Sequence, residues 1–438
     1  MTTIYTARWV MPVASSAIEH GAVAVDGALI VGVGSAAEIA ARFPDARVED
    51  FGQSVILPGL INTHTHLELT AMRGFLENEE SDFFAWLRKL TFARLERMTP
   101  DDIRVSATWG ACEAVRAGIT CVGDASDAAM MSMQALRDVG LRGVVFQESF
   151  GPDPRLLDEN FAKLKGKVEQ LREFETDLVR VGVSPHAPYT VCRAQLELIA
   201  EFAIAERLPL MMHAAESAAE ESLLRDGSGL FAEGLARRGI EWTPPGVSTI
   251  QYLQQAGILE TRPLLAHCIR VDDEDIETLK QTDSKVAHCP KSNAKLGHGR
   301  APLAKFVEAG VSVGLGSDSV ASNNTCDMIE EARFALLFAQ NSSLKASHIL
   351  SAATNDRCLG EGIGPLREGG QADLVVVGLD GTHQLPVYDP TTTLIFSSSG
   401  RDVQLTIIAG REVYRDGRVT GIDEERLRAR MNEIAQKL

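Results

Sequence analysis

Between about residue 55 and residue 320, short apolar runs rich in β-branched residues alternate with longer amphipathic stretches. That rhythm predicts parallel strands joined by crossover helices. Eight runs stand out, at residues 55–62, 119–124, 141–147, 179–184, 208–213, 263–267, 285–288 and 311–317, and most lead into helical patterns such as 193–206 and 301–308. Eight strand–helix units predict an α/β chain whose main body is a closed (β/α)8 TIM barrel rather than an open doubly wound sheet.

The two ends carry a different pattern. Residues 2–53 read as short strands with a turn at Asp26-Gly27, and residues 370–421 repeat that style in ADLVVVGL and VQLTIIAGREVY. Neither end makes a core alone. The expectation is a composite small β-sandwich domain from residues 1–56 and 366–423, a barrel over 57–365 and a terminal helix in 424–438. The run VGVGSAA places Gly32, Gly34 and Ala37 after a strand-like segment, as a dinucleotide fingerprint would. No second βα unit follows it, so turn glycines before a surface helix are the better reading, and an NAD-binding oxidoreductase is the weaker one.

Composition narrows the partners. The net charge is −17, and Arg and Lys are dispersed rather than gathered into a patch, which argues against a nucleic-acid partner. Seven scattered cysteines without a CxxC pair support neither disulfides nor a zinc ribbon, so a cytoplasmic enzyme is expected. No apolar stretch reaches the length of a membrane span, and residues 1–16 lack the basic-then-apolar order of a leader. The expected partner is a small-molecule substrate; a homodimer is the default assembly, without an identifiable interface.

The candidate chemistry lies at the strand ends. His64 and His66 in NTHTH are two apart and share one face of a strand, so both can grip one cation. His186, His213, His267, His288 and Asp318 fall at the C-terminal ends of the fourth to eighth predicted strands, where barrels build their active sites. As a purely structural cluster these groups would carry a heavy desolvation cost. Around a divalent cation they would leave a position for water, whose pKa then falls toward about 7. Glu216, three residues after His213 in HAAES, is placed to move that water's proton to a leaving group.

In order, LPGLINTHTH, SPHAPYT, HAAE, LLAHC, HCPKSNAKLGHGRAP, GLGSDSVASNNTCDM and GQADLVVV resemble the amidohydrolase superfamily, and within it the aromatic aminohydrolase branch, over nearly the whole chain. That branch includes deaminases of adenosine-type nucleosides, S-adenosylhomocysteine, guanine and aminodeoxyfutalosine. The resemblance implies one divalent metal, zinc or alternatively iron, held by His64, His66, His213 and Asp318. It implies Glu216 as proton shuttle, His267 as stabiliser of the intermediate, Asp318 as a second proton acceptor and His186 as a substrate contact. The fourth strand reads VGVSPH, without the lysine that a bridged two-metal site would use.

Glu68, in HLELT, looks like aminodeoxyfutalosine deaminases and is a candidate for binding a ribose or an amine. Trp86, inside the 67–97 insertion that forms the natural gate, is a candidate cover for an aromatic ring. The expected function is therefore hydrolytic deamination of a purine nucleoside-type substrate: aminodeoxyfutalosine, adenosine, S-adenosylhomocysteine or methylthioadenosine. The alternatives are amino- or chlorohydrolysis of guanine, cytosine or a triazine, and a non-catalytic barrel. A cytidine-type zinc deaminase would need a PCxxC element, which is absent.

Overall fold

The computed structural model describes residues 2–339, 343–360 and 362–438, and the chain is α/β with parallel sheets. Its first five strands are β1 (Thr3–Val10), β2 (Ile18–Asp26), β3 (Leu29–Ser35), β4 (Arg47–Asp50) and β5 (Ser54–Pro58). Eight more follow: β6 (Leu60–Thr65), β7 (Ile119–Ser126), β8 (Arg142–Ser149), β9 (Val179–Pro185), β10 (Met211–Ala214), β11 (Leu264–His267), β12 (Lys285–His288) and β13 (Ser312–Leu315). The last four are β14 (Leu374–Gly378), β15 (Val403–Ile408), β16 (Arg411–Arg415) and β17 (Arg418–Val419).

β6 to β9 pair in parallel as one four-stranded sheet and β10 to β13 as another. Isolated parallel bridges join them at both seams, Val183 to Leu210 and Thr65 to Asp318. Side chains alternate along each strand, so Ile61, Val144, Phe146, Met211, Ala266 and Ala287 meet inside, while Val122, Val145, Leu265 and Leu315 pack outward against helices. The helix Arg193–Glu206, expected at that span, turns Leu196, Ile199, Ala200 and Ala203 onto this outer layer.

The remaining nine strands, from both ends of the chain, share one hydrogen-bonded sheet in the order β17-β16-β15-β14-β5-β1-β2-β3, with β4 also on β1. On one face Ile4, Ala22 and Ala24 lie under Ile39 of the helix Ala36–Arg42; on the other Tyr5, Val23, Ile56, Leu374 and Leu405 form a second cluster. Gly32 faces that helix, where a Cβ would stand 3.0 Å from Ile39. The VGVGSAA run is thus the antiparallel strand β3 under a short helix, a packing role rather than a phosphate loop.

The single run expected at 55–62 is two strands. β5 belongs to the nine-stranded sheet and β6 to the parallel sheet β6–β9, and the chain changes sheet at Gly59. A Cβ there would lie 1.9 Å from Thr120 Oγ1, so only glycine lets the backbone pass this close to β7. The two bodies are also tied by a buried ion pair: Arg142 Nε and Nη2 donate to the Asp373 carboxylate at 2.9 and 3.0 Å, and Ala409 N–H donates to the same group at 2.8 Å. The C-terminal helix Glu424–Lys437 is held by Lys437 and Arg430 on the buried carboxylate of Asp102.

Candidate active site

Three strand ends, those of β6, β10 and β13, bring His64, His66, His213 and Asp318 together, with one donor atom from each within 4.8 Å of the others. His66 Nε2 lies 3.2 Å from His213 Nε2, and Asp318 Oδ1 lies 3.5 Å from both His64 Nε2 and His66 Nε2. Asp318 is held at φ 56° by its N–H to His64 O, and its other carboxylate oxygen accepts hydrogen bonds from Ser292 and Ser322. A left-handed aspartate costs about 1–2 kcal/mol, which the loop accepts in order to aim the carboxylate at the imidazoles.

The donor set fits a divalent cation. His213 Nδ1 is 2.9 Å from His186 O, so it carries the proton and leaves Nε2 as a bare lone pair facing the cluster. Burial holds His213 well below the usual imidazole range and takes His64 down to about 4, so both are neutral. His64 Nε2 is wholly buried without a hydrogen-bond partner. Neutral imidazoles with one carboxylate, and one lone pair with nothing else to satisfy it, are what zinc-type coordination requires.

Beside the cluster stands Glu216, 5% exposed. Its Oε1 is 3.7 Å from His267 Nε2 and 3.5 Å from His298 Nε2, and neither nitrogen has a hydrogen-bond partner. His267 Nδ1 is 2.8 Å from Asn293 Oδ1, which orients the ring. Burial lowers the His267 pKa, but the charges of Glu216 and Asp318 outweigh it and leave the ring above its ordinary value. By strict alternation His267 would face outward like its neighbour Leu265; a φ of 73° turns it back into the site.

Glu216 rests on a turn that Glu220 builds. Glu220 Oε1 accepts from Ala215 N–H at 2.8 Å and Thr249 Oγ1 at 2.9 Å, and Oε2 accepts from Glu216 N–H at 3.1 Å. Ala215 has φ 52°, a conformation held by these bonds. Burial raises the Glu220 carboxyl to about 7.

These residues line a cavity of about 470 Å³. His66, His186, His213, Glu216, His267 and Asp318 form its floor, and Phe83, Trp86, Leu87 and Leu90 of the helix Phe83–Arg97 cover it. Trp86 is buried in that cover, with Nε1 unpartnered and its ring stacked on Phe83 at 6.1 Å. Glu68 lines the cavity too, but its carboxylate is already bonded to Arg94, Ser126 and the N–H of Ala128. Next to it, burial and the neighbouring Glu68 raise the Glu148 carboxyl well above the usual range.

His288 does not join the others. Its neighbour Ala287 points inward, so His288 faces the helix layer, beside Pro290, Asn293, Ala335 and Phe338. Sequence reasoning also passed over His298, Glu220 and Glu148. His298 lay inside the quoted motif NAKLGHGRAP and could have been found there; the other two carry no local signal.

A family model described as "Amidohydrolase family" matches residues 55–413, and one described as "Imidazolonepropionase-like composite domain, bacteria" matches residues 21–46. A Syntrophobacter fumaroxidans protein named 5-methylthioadenosine/S-adenosylhomocysteine deaminase is 32% identical over 432 residues, 96% of this chain and 94% of its own. The zinc-bound structure of an adenosine deaminase from Xanthomonas campestris superposes with a TM-score of 0.88 at 28% identity, covering 99% of this chain and 98% of that one. An atrazine chlorohydrolase from Arthrobacter aurescens, at 24% identity, a TM-score of 0.84 and coverage of 99% and 100%, shares the fold.

Proposed function

The chain belongs to the amidohydrolase family, and from that premise we propose that it is a metal-dependent aminohydrolase releasing ammonia from a purine nucleoside-type substrate. The observation that carries this reading is the buried Glu216 carboxylate, set between two imidazole nitrogens that have no other partner and beside three histidines and an aspartate that converge on one point. The names of the relatives from Syntrophobacter fumaroxidans and Xanthomonas campestris support the substrate class.

In this reading the two four-stranded sheets form one closed (β/α)8 barrel, an interpretation supported by the bridges at both seams. Residues 57–365 make the barrel, 1–56 and 366–423 the small β-domain, and 424–438 the terminal helix. His64, His66, His213 and Asp318 would hold one zinc ion, which suits their nitrogen and oxygen donors. Bound there, the ion would supply Lewis acidity that lowers the pKa of a water molecule.

The chain's own groups do the rest. Glu216 takes a proton from the attacking water and delivers it to the ring nitrogen. His267, oriented by Asn293, donates to the oxygen that adds to the ring carbon. Asp318 accepts the second proton, from the added hydroxyl, and passes it to the amine, so that the carbon–nitrogen bond breaks and ammonia leaves. His186 and Trp86 border the ring, and the helix Phe83–Arg97 keeps bulk water out.

The test is an ammonia-release screen of the zinc-loaded protein on adenosine, 5′-methylthioadenosine, S-adenosylhomocysteine, aminodeoxyfutalosine, guanine and triazines. Ammonia from adenine nucleosides is the expected result. Release from none of them, or from triazines alone, overturns the reading.

A further inference from the structure

Two kinds of contact hold the helix Phe83–Arg97 over the cavity. Its Trp86 and Ala93 share an apolar cluster with Leu69, Met72 and Leu296, which favours burial but is non-directional and leaves the helix free to slide or turn. The other contact is ionic. Arg94 has a side chain 13% exposed; it donates Nε to Glu68 Oε1 at 2.7 Å and both terminal nitrogens to Asp127 Oδ2 at 3.3 Å. A planar guanidinium that meets two carboxylates along different edges tolerates little displacement.

Both acids are fixed in turn. Glu68 lies in the turn after β6, two residues beyond His66, and its second oxygen accepts from Ser126 Oγ and, at 3.1 Å, from Ala128 N–H. Asp127 follows β7, and its Oδ1 accepts from Lys167 Nζ of the helix Leu157–Arg172 at 2.8 Å. Burial would raise the Asp127 carboxyl, but Lys167 and Arg94 outweigh it and hold the group below its ordinary value, as an ionised partner. The roof's other bonded cations point elsewhere. Lys89 reaches Phe75 O and Glu79 at 3.0 Å, inside the same insertion, and Arg97 reaches Leu438 O. Trp86, Leu87, Leu90 and Arg94 recur at the spacing of one helix face, so what fixes Arg94 also fixes the residues that face the cavity.

We infer that Arg94 is a positioning residue: by gripping Glu68 and Asp127 it sets the register of the roof helix over the histidine cluster, and Glu68 acts through Arg94 rather than on the substrate. The kinetic side of this inference rests on the aminohydrolase reading. The structural side does not.

Arg94→Met, Glu68→Gln and the double variant decide it, each loaded with zinc and assayed for ammonia release from adenosine, for metal content and for hydrogen–deuterium exchange along the chain. Arg94→Met should raise KM by about tenfold and change kcat less, because Glu216 keeps the turn that Glu220 builds, and zinc should stay at one per chain. Amides of residues 83–97 should exchange about tenfold faster while those of the barrel strands keep their rates. Glu68→Gln should do the same to a smaller degree, and the double variant should be no worse than Arg94→Met, since the two residues form one interaction. Where Arg94→Met does not fold, Arg94→Lys, which keeps the charge but spans a single acid, takes its place with the same expectations at reduced size. Unchanged exchange over 83–97, an unchanged KM, or effects of the two single changes that multiply in the double variant overturn the inference. If wild type releases no ammonia from any purine nucleoside the aminohydrolase reading falls, and exchange over 83–97 alone then sustains or overturns the role of Arg94.

Discussion

Glu216 and His298 meet at 3.5 Å, Oε1 to Nε2, although they lie on different loops. His298 in turn meets Phe83 edge-on at 4.6 Å, and Phe83 opens the helix that roofs the cavity. Glu216, the acid proposed to carry the proton, a second imidazole and the cover are thus in contact, so a substrate that moves the roof also moves the surroundings of Glu216.

Replacing that acid separates chemistry from coordination. Glu216→Gln keeps the shape and leaves the three histidines and Asp318 untouched. Turnover should fall by about 10²–10⁴-fold, the usual worth of a positioned acid–base group, while zinc content by elemental analysis stays at one per chain. A variant within threefold of wild-type kcat removes Glu216 from the mechanism.

Glu220 gives a pH signature. Its folded pKa of about 7 is above the ordinary 4.5, so between these values the native state binds more protons than the unfolded state. Stability from this group is complete below pH 4.5 and is lost as the pH rises through 7, a total of about 3 kcal/mol. Glu220→Gln cannot titrate and cannot accept all three hydrogen bonds, so it starts less stable and lacks this decline. Urea unfolding at pH 4.5 and 7.5 should show the gap between the two proteins narrowing with pH, and parallel curves would refute the assignment.

Much of this was legible because strand ends announce themselves. His64, His66, His213 and Asp318 terminate apolar runs, and a cavity at the C-terminal rim needs only that placement. Parity was harder to read. β12 has four residues, and its own pattern does not say that Ala287 rather than His288 faces inward; pairing with Ala266 and Gly314 decides it. His267 defies alternation through a positive φ that no composition signal predicts. The split at Gly59 hides in an unbroken apolar run because both strands are fully buried. Glu68 could not be read as engaged, since Arg94 and Ser126 reach it from other elements.

The joint between the parallel strands and the nine-stranded sheet should depend on Asp373. Asp373→Ala leaves Arg142, itself 4% exposed, without its bidentate partner and Ala409 N–H without its acceptor. Stranding a buried charge costs about 3–5 kcal/mol. Differential scanning calorimetry should show a drop of several degrees in the first transition. An unchanged profile would mean that Arg142 finds water at this joint.

Metal removal should act through the same orphaned atom that marks the site. His64 Nε2 is fully buried and has no hydrogen-bond partner, so the metal-free protein carries an unmet acceptor or donor next to the crowded pair His66 and His213. A ligand that binds only the folded state stabilises it by about 4 kcal/mol at a thousandfold excess over its Kd. Zinc should therefore raise the melting temperature of chelator-treated protein, and Asp318→Asn, which weakens the donor set, should reduce the rise. His288→Gln is the control. Its ring also has an unpartnered nitrogen but faces the helix layer, away from the cavity. That variant should keep the full zinc-dependent rise whatever its own stability, whereas an equal rise in Asp318→Asn and wild type would place the ion elsewhere.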